Sequence, residues 1–441
     1  MSCANLSVSK KRETVKMTYT EKARTLPVAG TFDVIVAGSG PAGIGAAVAA
    51  GRMGARVLLL ESAGRVGGIS TSGLMSHFTG TVGNQLYWEI LRRAAEKNPF
   101  DREPYQVAID PELLTLTYLE MLEEAGVTLR LYTFVSDVIM EENRVCGVIC
   151  ESKGGREAFL ADVVVDATGD GDVAWRAGAA FCLGREEDHR MQPATLMFKV
   201  AGVDMAQAVF PGSFETLVPT EKGELQALAK KLLPPPAGHV LLYRSPIPGV
   251  VTCNMTNVIG IDGTDAADLT RAELECRRQL LPIVQFLRDY VPGYAHCYLL
   301  ETASLIGVRE TRHFAGVQTL TEQDSLEARQ FPDWVVYGAH FNFDVHNLTG
   351  SGLDVTGCQH HFTQQNGYTI PYGCLVPQTV DGLLLSGRNL SGTHMAHSNF
   401  RVMPICIGSG WAAGTAAALA ARQGIRSRDV NPAEIQAQEP R

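Results

Sequence analysis

Residues 32–43 read FDVIVAGSGPAG, and this stretch determines the fold that we expect. Residues 32–37 form a short apolar, β-branched run that predicts a buried parallel strand. Three glycines follow at the GxGxxG spacing, namely Gly38, Gly40 and Gly43. This spacing permits a tight turn, close approach of the backbone to a pyrophosphate, and close packing of helix on strand. Residues 44–53 are rich in alanine and predict the helix whose N-terminus would face the phosphates.

A second strand and an acidic residue complete this unit. Residues 56–61 predict a strand that ends in Glu61, about 20 residues beyond the glycines, where a carboxylate can accept both ribose hydroxyls. Strand, glycine turn, helix, strand and acid occur in order, so we interpret the segment as a βαβ dinucleotide-binding unit and not as a loop that merely turns. The cofactor-binding residues expected here are Gly38, Gly40, Pro41, Ala42, Gly43, Glu61 and Ser62.

Further segments favour FAD over a nicotinamide cofactor. Arg65, Gly67 and Gly68 directly follow the ribose acid, and the glycines would let the backbone pass close to the cofactor. Residues 166–170, DATGD, predict a strand that ends in a turn and completes the nucleotide-binding fold. In this turn we expect cofactor contacts from Ala167, Thr168 and Gly169.

Together these segments resemble a known family. The chain resembles glutathione-reductase-like flavoproteins and, within them, a large group of FAD-dependent oxidoreductases. The resemblance covers nearly all of the chain and rests on residues 33–43, 67–68, 166–172, 307–312, 371–377 and 386–404. It implies that the backbone of Val135 contacts the adenine, and that Gly387 and Arg388 lie near the ribityl chain and pyrophosphate. Arg388 stands where many relatives have an acid, so a cation would contact the pyrophosphate there.

A helix of small residues that opens at Pro404 has the strongest chemical rationale at the reactive end of the cofactor. Reduction of a flavin builds negative charge near N1 and the C2 carbonyl, and a helix N-terminus stabilises such charge. Gly408 and Gly410 are compatible with close approach of the cofactor and with tight helix packing, and both interpretations stay open. We therefore expect only the start of this helix to contact the flavin.

The remaining pattern indicates an α/β protein with a discontinuous, Rossmann-like FAD-binding domain and an inserted α+β substrate domain. Strand signals return at residues 383–386 after a proline-rich middle region that includes residues 234–236. The domains that we predict are an N-terminal extension over 1–30, an FAD-binding domain over 31–182 and 365–425, a substrate domain over 183–364, and a polar tail over 426–441.

Composition argues against several other classes of protein. A net charge of −9 without a basic patch opposes nucleic-acid binding, including a flavoenzyme that modifies RNA. The longest apolar run, residues 405–421, is broken by glycines and falls short of the roughly 20 residues that cross a bilayer, so we expect a buried helix and no membrane.

Without a signal-peptide pattern or a disulfide framework, we expect a cytoplasmic protein with free thiols. The oligomeric state stays open, a homo-oligomer included.

Because FAD would carry the redox chemistry, the protein needs a base and a cation for its substrate. His394 and His397 lie between the turn at 386–389 and the flavin-facing helix, where a histidine can take a hydroxyl proton. Holding that loop by hydrogen bonds is an equal alternative. Arg401, at the same junction, would bind substrate or satisfy backbone carbonyls.

Other residues offer the same chemistry elsewhere in the chain. Asp344 and His346 would share one face of a strand, as a supported acid–base residue or as an ordinary surface strand. Arg309 and Arg312 flank Glu310, as a carboxylate clamp or as an ion-pair network. His77 follows the Gly67–Gly68 loop, where packing is the simpler role. The catalytic candidates are therefore His394, His397, Arg401, His346 and Arg309.

Metal ligation is not expected from the spacing of the candidate ligands. The sequence has no CxxC and no HExxH motif, and the nearest groupings do not match a zinc or iron–sulfur pattern. Those groupings are His394 and His397 with Cys406, and His360 beside His361.

The hypothesis is an FAD-dependent oxidoreductase that transfers a hydride between flavin N5 and a small polar substrate of the alcohol, polyol or hydroxy acid type. The substrate would bind between the two domains. No second GxGxxG follows a strand, so the other electron donor or acceptor is external: oxygen or a separate carrier. The alternative is a flavoprotein electron-transfer subunit that acts with protein redox partners. Covalent and non-covalent attachment of the flavin both stay open.

Overall fold

The computed structural model describes residues 19–75, 77–100, 103, 107–353 and 367–439. The strands are β1 (Val28–Ala37), β2 (Val57–Leu60), β3 (Thr128–Arg130), β4 (Phe134–Glu141), β5 (Arg144–Ser152), β6 (Gly155–Asp166), β7 (Phe181–Leu183), β8 (Phe198–Ala201), β9 (Pro219–Thr220), β10 (Gly223–Glu224), β11 (Leu242–Arg244), β12 (Val251–Cys253), β13 (Tyr298–Thr302), β14 (Arg312–Phe314), β15 (Trp334–Ala339), β16 (Tyr368–Pro371) and β17 (Leu383–Leu385). The helices are α1 (Pro41–Arg52), α2 (Gln85–Glu96), α3 (Pro111–Glu124), α4 (Asp172–Arg176), α5 (Leu225–Leu232), α6 (Ala266–Tyr290), α7 (Glu322–Leu326), α8 (His394–Phe400), α9 (Met403–Gln423) and α10 (Pro432–Gln436). Short 3-10 helices lie at Gly68–Ser70, Tyr372–Cys374 and Ser427–Asp429.

Seven strands of the described chain form the principal sheet. Strands β3, β2, β1, β6 and β17 run parallel in that order. Strands β5 and β4 continue the sheet antiparallel from the first half of β6. Because β17 lies far along the chain from β1, the N-terminal and C-terminal segments share one sheet. The predicted α/β fold with a parallel, Rossmann-like sheet is confirmed.

The central strands of this sheet are apolar and buried, and helices α1 and α9 pack against them. Residues 34–37 of β1 and 57–60 of β2 are almost fully buried, as is usual for the central strands of a parallel sheet. Helices α1 and α9 lie backbone to backbone: a Cβ atom added to Gly410 would stand 2.0 Å from the carbonyl oxygen of Ala42. Small residues on both helices make this close approach sterically allowed.

Helix α9 is the buried helix that the glycine-broken apolar run predicts. By length and composition alone it could cross a membrane, but its most apolar window is buried throughout. It packs against α1, β1, β6 and β15 in the hydrophobic core of the principal sheet. Its apolar character therefore serves the core of the fold.

A second, smaller core lies in the middle of the chain. Strands β11, β12, β8 and β13 form an antiparallel sheet in that order. The apolar residues of α5 and α6 pack in the same hydrophobic core as this sheet. That core includes Phe198, Val200, Val251, Leu225, Ile283 and Leu287. This unit supplies one wall of the cavity described below.

Some residues that the sequence assigns to the substrate domain pack in the core of the principal sheet. Residue 364, the predicted end of the substrate domain, lies outside the described residues. Phe314, Leu320, Val335 and Ala339 are already buried in the core of the principal sheet, where β15 packs against α9. At the other end, the predicted extension over 1–30 overlaps β1, whose pairing with β6 starts at Val28. Short strands that cross between units carry no local signal of the core they join.

The segment predicted as a polar tail packs onto the protein as far as Glu439. Val430 and Ile435 are buried in the main core. The carboxylate of Glu439 accepts hydrogen bonds from the Asn84 side chain, at 2.6 Å, and from the backbone of Gln85, at 2.8 Å. Residues 426–439 are polar in composition, but Val430 and Ile435 anchor them to the main core.

Candidate active site

One cavity of about 620 Å³ connects the principal sheet with the second unit. The turn between β1 and α1 and the end of β2 form one part of its wall, which we call the nucleotide end. Residues from β11 and from loops around 309, 344 and 401 form another part, which we call the charged end. A volume of this order is typical of pockets that bind cofactors and small molecules.

At the nucleotide end, helix α1 begins without a side-chain cap on its backbone amides in the described part of the chain. Gly40 is its N-cap. A Cβ atom added to Gly40 would meet nothing within 4 Å, so the turn faces open space. A Cβ atom on Gly43 would stand 1.9 Å from the carbonyl oxygen of Gly38, so Gly43 serves packing and does not line the cavity. Free amides at a helix N-terminus attract a phosphate.

Glu61 is held rigidly beside this turn. Its Oε2 accepts hydrogen bonds from the backbone N–H of Ser39 at 3.0 Å and from the Ser39 hydroxyl at 2.6 Å. Its Oε1 accepts one from the backbone of Ala63 at 2.8 Å. A fixed carboxylate at this position suits ribose hydroxyls. Other predicted cofactor residues in this part of the wall are Gly38, Pro41, Ala42, Ser62, Gly68 and Val135.

A buried carboxyl shapes the turn after β6. Burial raises the pKa of Asp166 to about 6. The Asp166 carboxyl accepts hydrogen bonds from the backbone and hydroxyl of Thr168, at 3.1 and 2.7 Å, and from the backbone of Ala174, at 2.8 Å. These bonds fix the turn at the cavity wall, where Ala167, Thr168 and Gly169 all line it.

The C-terminal part of the wall comes from the turn after β17 and from the start of α9. Gly387 and Arg388 line the cavity, and Arg388 Nη2 lies 2.6 Å from Asp170 Oδ1. Met403 and Cys406 in the first turn of α9 line it as well, and this helix start has no side-chain cap among the described residues. The start of α9 therefore lies at the cavity wall, and its contact with a flavin stays a prediction.

Besides Gly43, four predicted cofactor residues lie outside the cavity walls. The structure places Gly408 against Val82 and Gly410 against Ala42, so their small size serves helix packing. Arg65 forms an ion pair with Glu112. The backbone N–H of Gly67 donates to Ser39, and its φ of 102° is one that glycine adopts without strain.

The charged end contains two arginines that approach the same region. Arg309 Nη1 donates hydrogen bonds to the backbone carbonyl of Pro193 at 2.6 Å and to the hydroxyl of Thr195 at 2.9 Å. Burial, together with the charge of Arg401, lowers the pKa of Arg309 to about 10, which leaves it cationic at neutral pH. Arg401 Nη2 donates to the backbone oxygen and to Oδ2 of Asp344, at 2.8 and 2.9 Å. The Nε of Arg401 is buried without a hydrogen-bond partner among the described residues.

Asp344 also faces a histidine. Nε2 of His346 lies 3.4 Å from Oδ2 of Asp344, and both residues line the cavity. Burial, reinforced by Arg309, lowers the pKa of His346 to about 4, so its imidazole is neutral at pH 7. Burial opposes ionisation of Asp344, yet His346 and the arginines hold the pKa of its carboxyl below the ordinary value. We call Arg309, Asp344, His346 and Arg401 the arginine cluster.

Sequence reasoning missed the residues that the second unit contributes to this end. Tyr243, Asn254 and Phe214 line the cavity, and Phe214 packs edge-on against His346 with ring centroids 5.1 Å apart. Burial raises the pKa of Tyr243 to about 12. None of these residues belongs to a motif. Tyr243 lies on β11, whereas Phe214 and Asn254 lie in loops, so no local sequence signal indicated that they meet.

The remaining candidates lie elsewhere. His394 and His397 are not in the cavity walls, and His394 Nδ1 contacts Glu310 Oε1 at 2.5 Å. Arg312 pairs with Asp172 at 3.0 Å, which fits the ion-pair interpretation. His77 stacks on Tyr243 with ring centroids 5.2 Å apart, which fits packing. His360 and His361 lie outside the described residues.

The cavity fits FAD: two uncapped helix starts, a fixed carboxylate and several glycine turns border one continuous space. The fold and these features define a flavin-binding oxidoreductase. The profile of the FAD dependent oxidoreductase family matches residues 33–438, and the chain belongs to this family. It is therefore an FAD-dependent enzyme, whereas the glutathione-reductase-like assignment stays a prediction.

Individual relatives are more distant. Digeranylgeranylglycerophospholipid reductase 1 of Methanococcoides burtonii is 28% identical over 199 residues, which cover 40% of this chain and 46% of that protein. Thiamine thiazole synthase of Aeropyrum pernix is 32% identical over 167 residues, covering 33% and 57%. The chain spans about half the length of the curated relatives it matches. A geranylgeranyl bacteriochlorophyll reductase-like structure from Thermoplasma acidophilum is 15% identical, covering 92% of this chain and 82% of that one, with a TM-score of 0.45.

Proposed function

We propose that the enzyme transfers a hydride between the flavin and a small polar substrate that carries an anionic group, with a hydroxy acid as the substrate in the oxidative direction. The observation that supports this proposal is the charge of the arginine cluster. Arg309 and Arg401 contribute two positive charges, Asp344 contributes one negative charge, and His346 is neutral. The cluster therefore carries one positive charge in excess at a buried cavity wall.

A buried excess charge is costly unless a ligand of opposite charge compensates it. A carboxylate is suited to this role because a guanidinium can donate two parallel hydrogen bonds to it. Arg401 still has a buried Nε donor without a partner in the described part of the chain. Both arginines line the cavity and can therefore contact a bound molecule.

His346 provides the proton chemistry that the reaction needs. When bound, FAD supplies the redox chemistry by accepting or donating the hydride. In the oxidative direction the substrate C–H bond loses a hydride, and its O–H bond loses a proton to the neutral imidazole of His346, which leaves a keto acid. Asp344, 3.4 Å from His346 Nε2, would stabilise the imidazolium that forms. An external carrier or oxygen then takes the electrons.

A second candidate is reduction of a carbon–carbon double bond. Two relatives are named as digeranylgeranylglycerophospholipid reductases, and they favour this reaction type. Part of the cavity wall is also apolar, formed by Ile69, Met75, Met197, Leu241, Leu305 and Ile306. An unsaturated acid would place its carboxylate on the arginines and its alkene against this apolar wall. In that case His346 would have to donate a proton and not accept one.

One anaerobic experiment tests both candidates with the FAD-loaded full chain. A panel of 2-hydroxy acids and their amides is mixed with oxidised enzyme, and a panel of 2-enoic acids and their amides with reduced enzyme. We expect acids and not amides to change the flavin absorbance, and the arm that responds identifies the direction. Equal responses to acids and amides would refute the anionic substrate. No response in either arm would favour the electron-transfer alternative.

A further inference from the structure

A buried group of one carboxylate and three imidazoles lies outside the cavity walls. Oε1 of Glu310 contacts Nε2 of His313 at 2.8 Å and Nδ1 of His394 at 2.5 Å. Oε2 of Glu310 accepts a hydrogen bond from the backbone of Gln192 at 3.0 Å. The His397 ring packs edge-on against His313, with ring centroids 4.7 Å apart. Glu310 and His397 are almost fully buried.

Three of these residues meet the geometric requirement of a metal site. Glu310, His313 and His397 each offer a ligand atom, and these atoms lie within 4.8 Å of one another. Zn²⁺ and related ions bind imidazole nitrogen and carboxylate oxygen at about 2.0–2.2 Å, so ligand atoms on one ion stand roughly 3–4 Å apart. Small side-chain rotations would close the remaining distance.

Two of the imidazoles also have a ring nitrogen without a partner in the part of the chain that the structure describes. Nδ1 of His313 and Nδ1 of His397 are buried without a hydrogen-bond partner among the described residues. An unpaired buried polar atom is destabilising, and coordination to a metal ion would satisfy it.

We propose that Glu310, His313 and His397 bind a divalent transition-metal ion of the zinc or iron type. Two nitrogen ligands and a single carboxylate do not suit Mg²⁺ or Ca²⁺, which take oxygen ligands. His394 acts as a positioning residue because its ring contacts the Glu310 carboxylate and orients it.

The ion would connect two distant segments of the chain. Glu310 lies two residues before β14 and His313 lies within it, whereas His397 lies on α8, 84 residues or more further along the chain. Arg309 precedes Glu310 directly, and Arg401 follows α8 directly. A bound ion would therefore fix the positions of both arginines of the arginine cluster, although the ion itself would not contact the substrate. Spacing along the sequence cannot indicate such a site, since its ligands belong to separate elements.

The test uses the FAD-loaded full chain after chelator treatment and dialysis. Zn²⁺ and Co²⁺ are titrated by calorimetry under nitrogen, with Co²⁺ also followed by its visible d–d absorption; Fe²⁺ and Mn²⁺ are tested in the same way. We expect one ion per chain with a Kd of about 1 µM or less, and a thermal midpoint that rises with Zn²⁺. His397→Ala and Glu310→Gln should remove this binding, and His394→Ala should weaken it about 10- to 100-fold.

His296→Ala is the matched control, since His296 is an exposed histidine and should leave binding unchanged. The proposal is overturned if the folded wild type binds none of the four ions stoichiometrically. It is equally overturned if His397→Ala binds Zn²⁺ as tightly as the wild type does. The titration of the wild type tests the proposal by itself, even if a variant fails to fold.

Discussion

The two ends of the cavity are built in different ways. The nucleotide end is formed mostly by backbone: glycine turns and the starts of α1 and α9, with Glu61 as a fixed side chain. The charged end is formed by side chains from four separate places in the chain, with Arg309, Asp344 and Arg401 as its charges and His346 as a neutral imidazole. The residues of the nucleotide end can be identified from a local sequence pattern, whereas those of the charged end come together only when the chain folds.

This difference determines how each end responds to substitution. A backbone site tolerates changes of side chain but not a Cβ atom where two chain segments touch. A buried charged site responds strongly to the loss of one charge, because the remaining charges lose their compensation. Substitutions at the two ends should therefore separate cofactor binding from substrate recognition.

The largest effect is expected at the charged end from Arg309→Met. The substitution removes the excess positive charge, and kcat/KM for an anionic substrate should fall about 10³-fold, or about 4 kcal/mol. Rapid-mixing kinetics of the flavin absorbance measures this. The bound FAD should remain, and Arg278→Met, an exposed arginine on α6, should have no effect. If the neutral amide loses activity to the same degree, Arg309 acts through the structure and not through substrate charge.

A smaller effect is expected at the nucleotide end from Gly43→Ala. The new Cβ atom would stand 1.9 Å from the Gly38 carbonyl oxygen, so the turn must shift away from α1. Such overpacking costs about 1–3 kcal/mol, which corresponds to roughly 10- to 100-fold weaker FAD binding if the turn holds the pyrophosphate. Fluorescence titration with FAD and the thermal midpoint measure both quantities. Gly154→Ala, where the added atom meets only Ser152 at 3.6 Å, is the control. Unchanged FAD affinity would contradict the role assigned to this turn.

The same contrast explains what the sequence could and could not predict. The βαβ unit was predictable because β1, the GxGxxG turn, α1 and β2 are contiguous and their spacing has one physical purpose. Arg309, His346 and Arg401 could be named as candidates from local context, but not brought together, since they lie on segments joined only by tertiary packing. His394 and His397 have the same local context, yet folding directs His394 to Glu310 and leaves both outside the cavity walls.

The prediction of the domain limits differs from the structure for a related reason. The sequence places residues 314–339 in the inserted substrate domain, because their composition does not show which of the two hydrophobic cores they join. Only the packing of β15 against α9 assigns them to the principal sheet. Likewise, Val430 and Ile435 are two apolar residues in a polar stretch, and their burial depends on a surface that other segments create.

At the nucleotide end, the isosteric change Glu61→Gln should have a moderate effect. It removes the charge that would strengthen hydrogen bonds from ribose hydroxyls, at a cost of about 1.5 kcal/mol, so FAD should bind about tenfold more weakly. The hydrogen bonds from Ser39 can still form to the amide oxygen, whereas the bond from the Ala63 backbone to Oε1 is lost, so the thermal midpoint without FAD should fall modestly. Glu123→Gln, an exposed carboxylate on α3, provides the control. A loss of stability without a loss of FAD affinity would make Glu61 a structural residue only.

The smallest effect is expected from pH, and it probes the charged end. Because burial and Arg309 lower the pKa of His346 to about 4, the imidazole stays neutral as pH falls from 7 to 5.5. Oxidation of a hydroxy acid should therefore lose less than about twofold in kcat/KM over this range, whereas a base with the ordinary histidine pKa of about 6.5 would lose about tenfold. The substrate carboxyl stays ionised throughout this window, so its own titration does not interfere.

His346→Gln completes this last measurement. The variant cannot accept the proton, so its rate should be low at every pH and the residual pH dependence should belong to other groups. A tenfold fall in the wild type between pH 7 and 5.5, absent in the variant, would show that His346 is the base but is not desolvated as the structure indicates. An identical rate in the wild type and the variant would remove His346 from the reaction. The arginine cluster would then bind substrate charge alone.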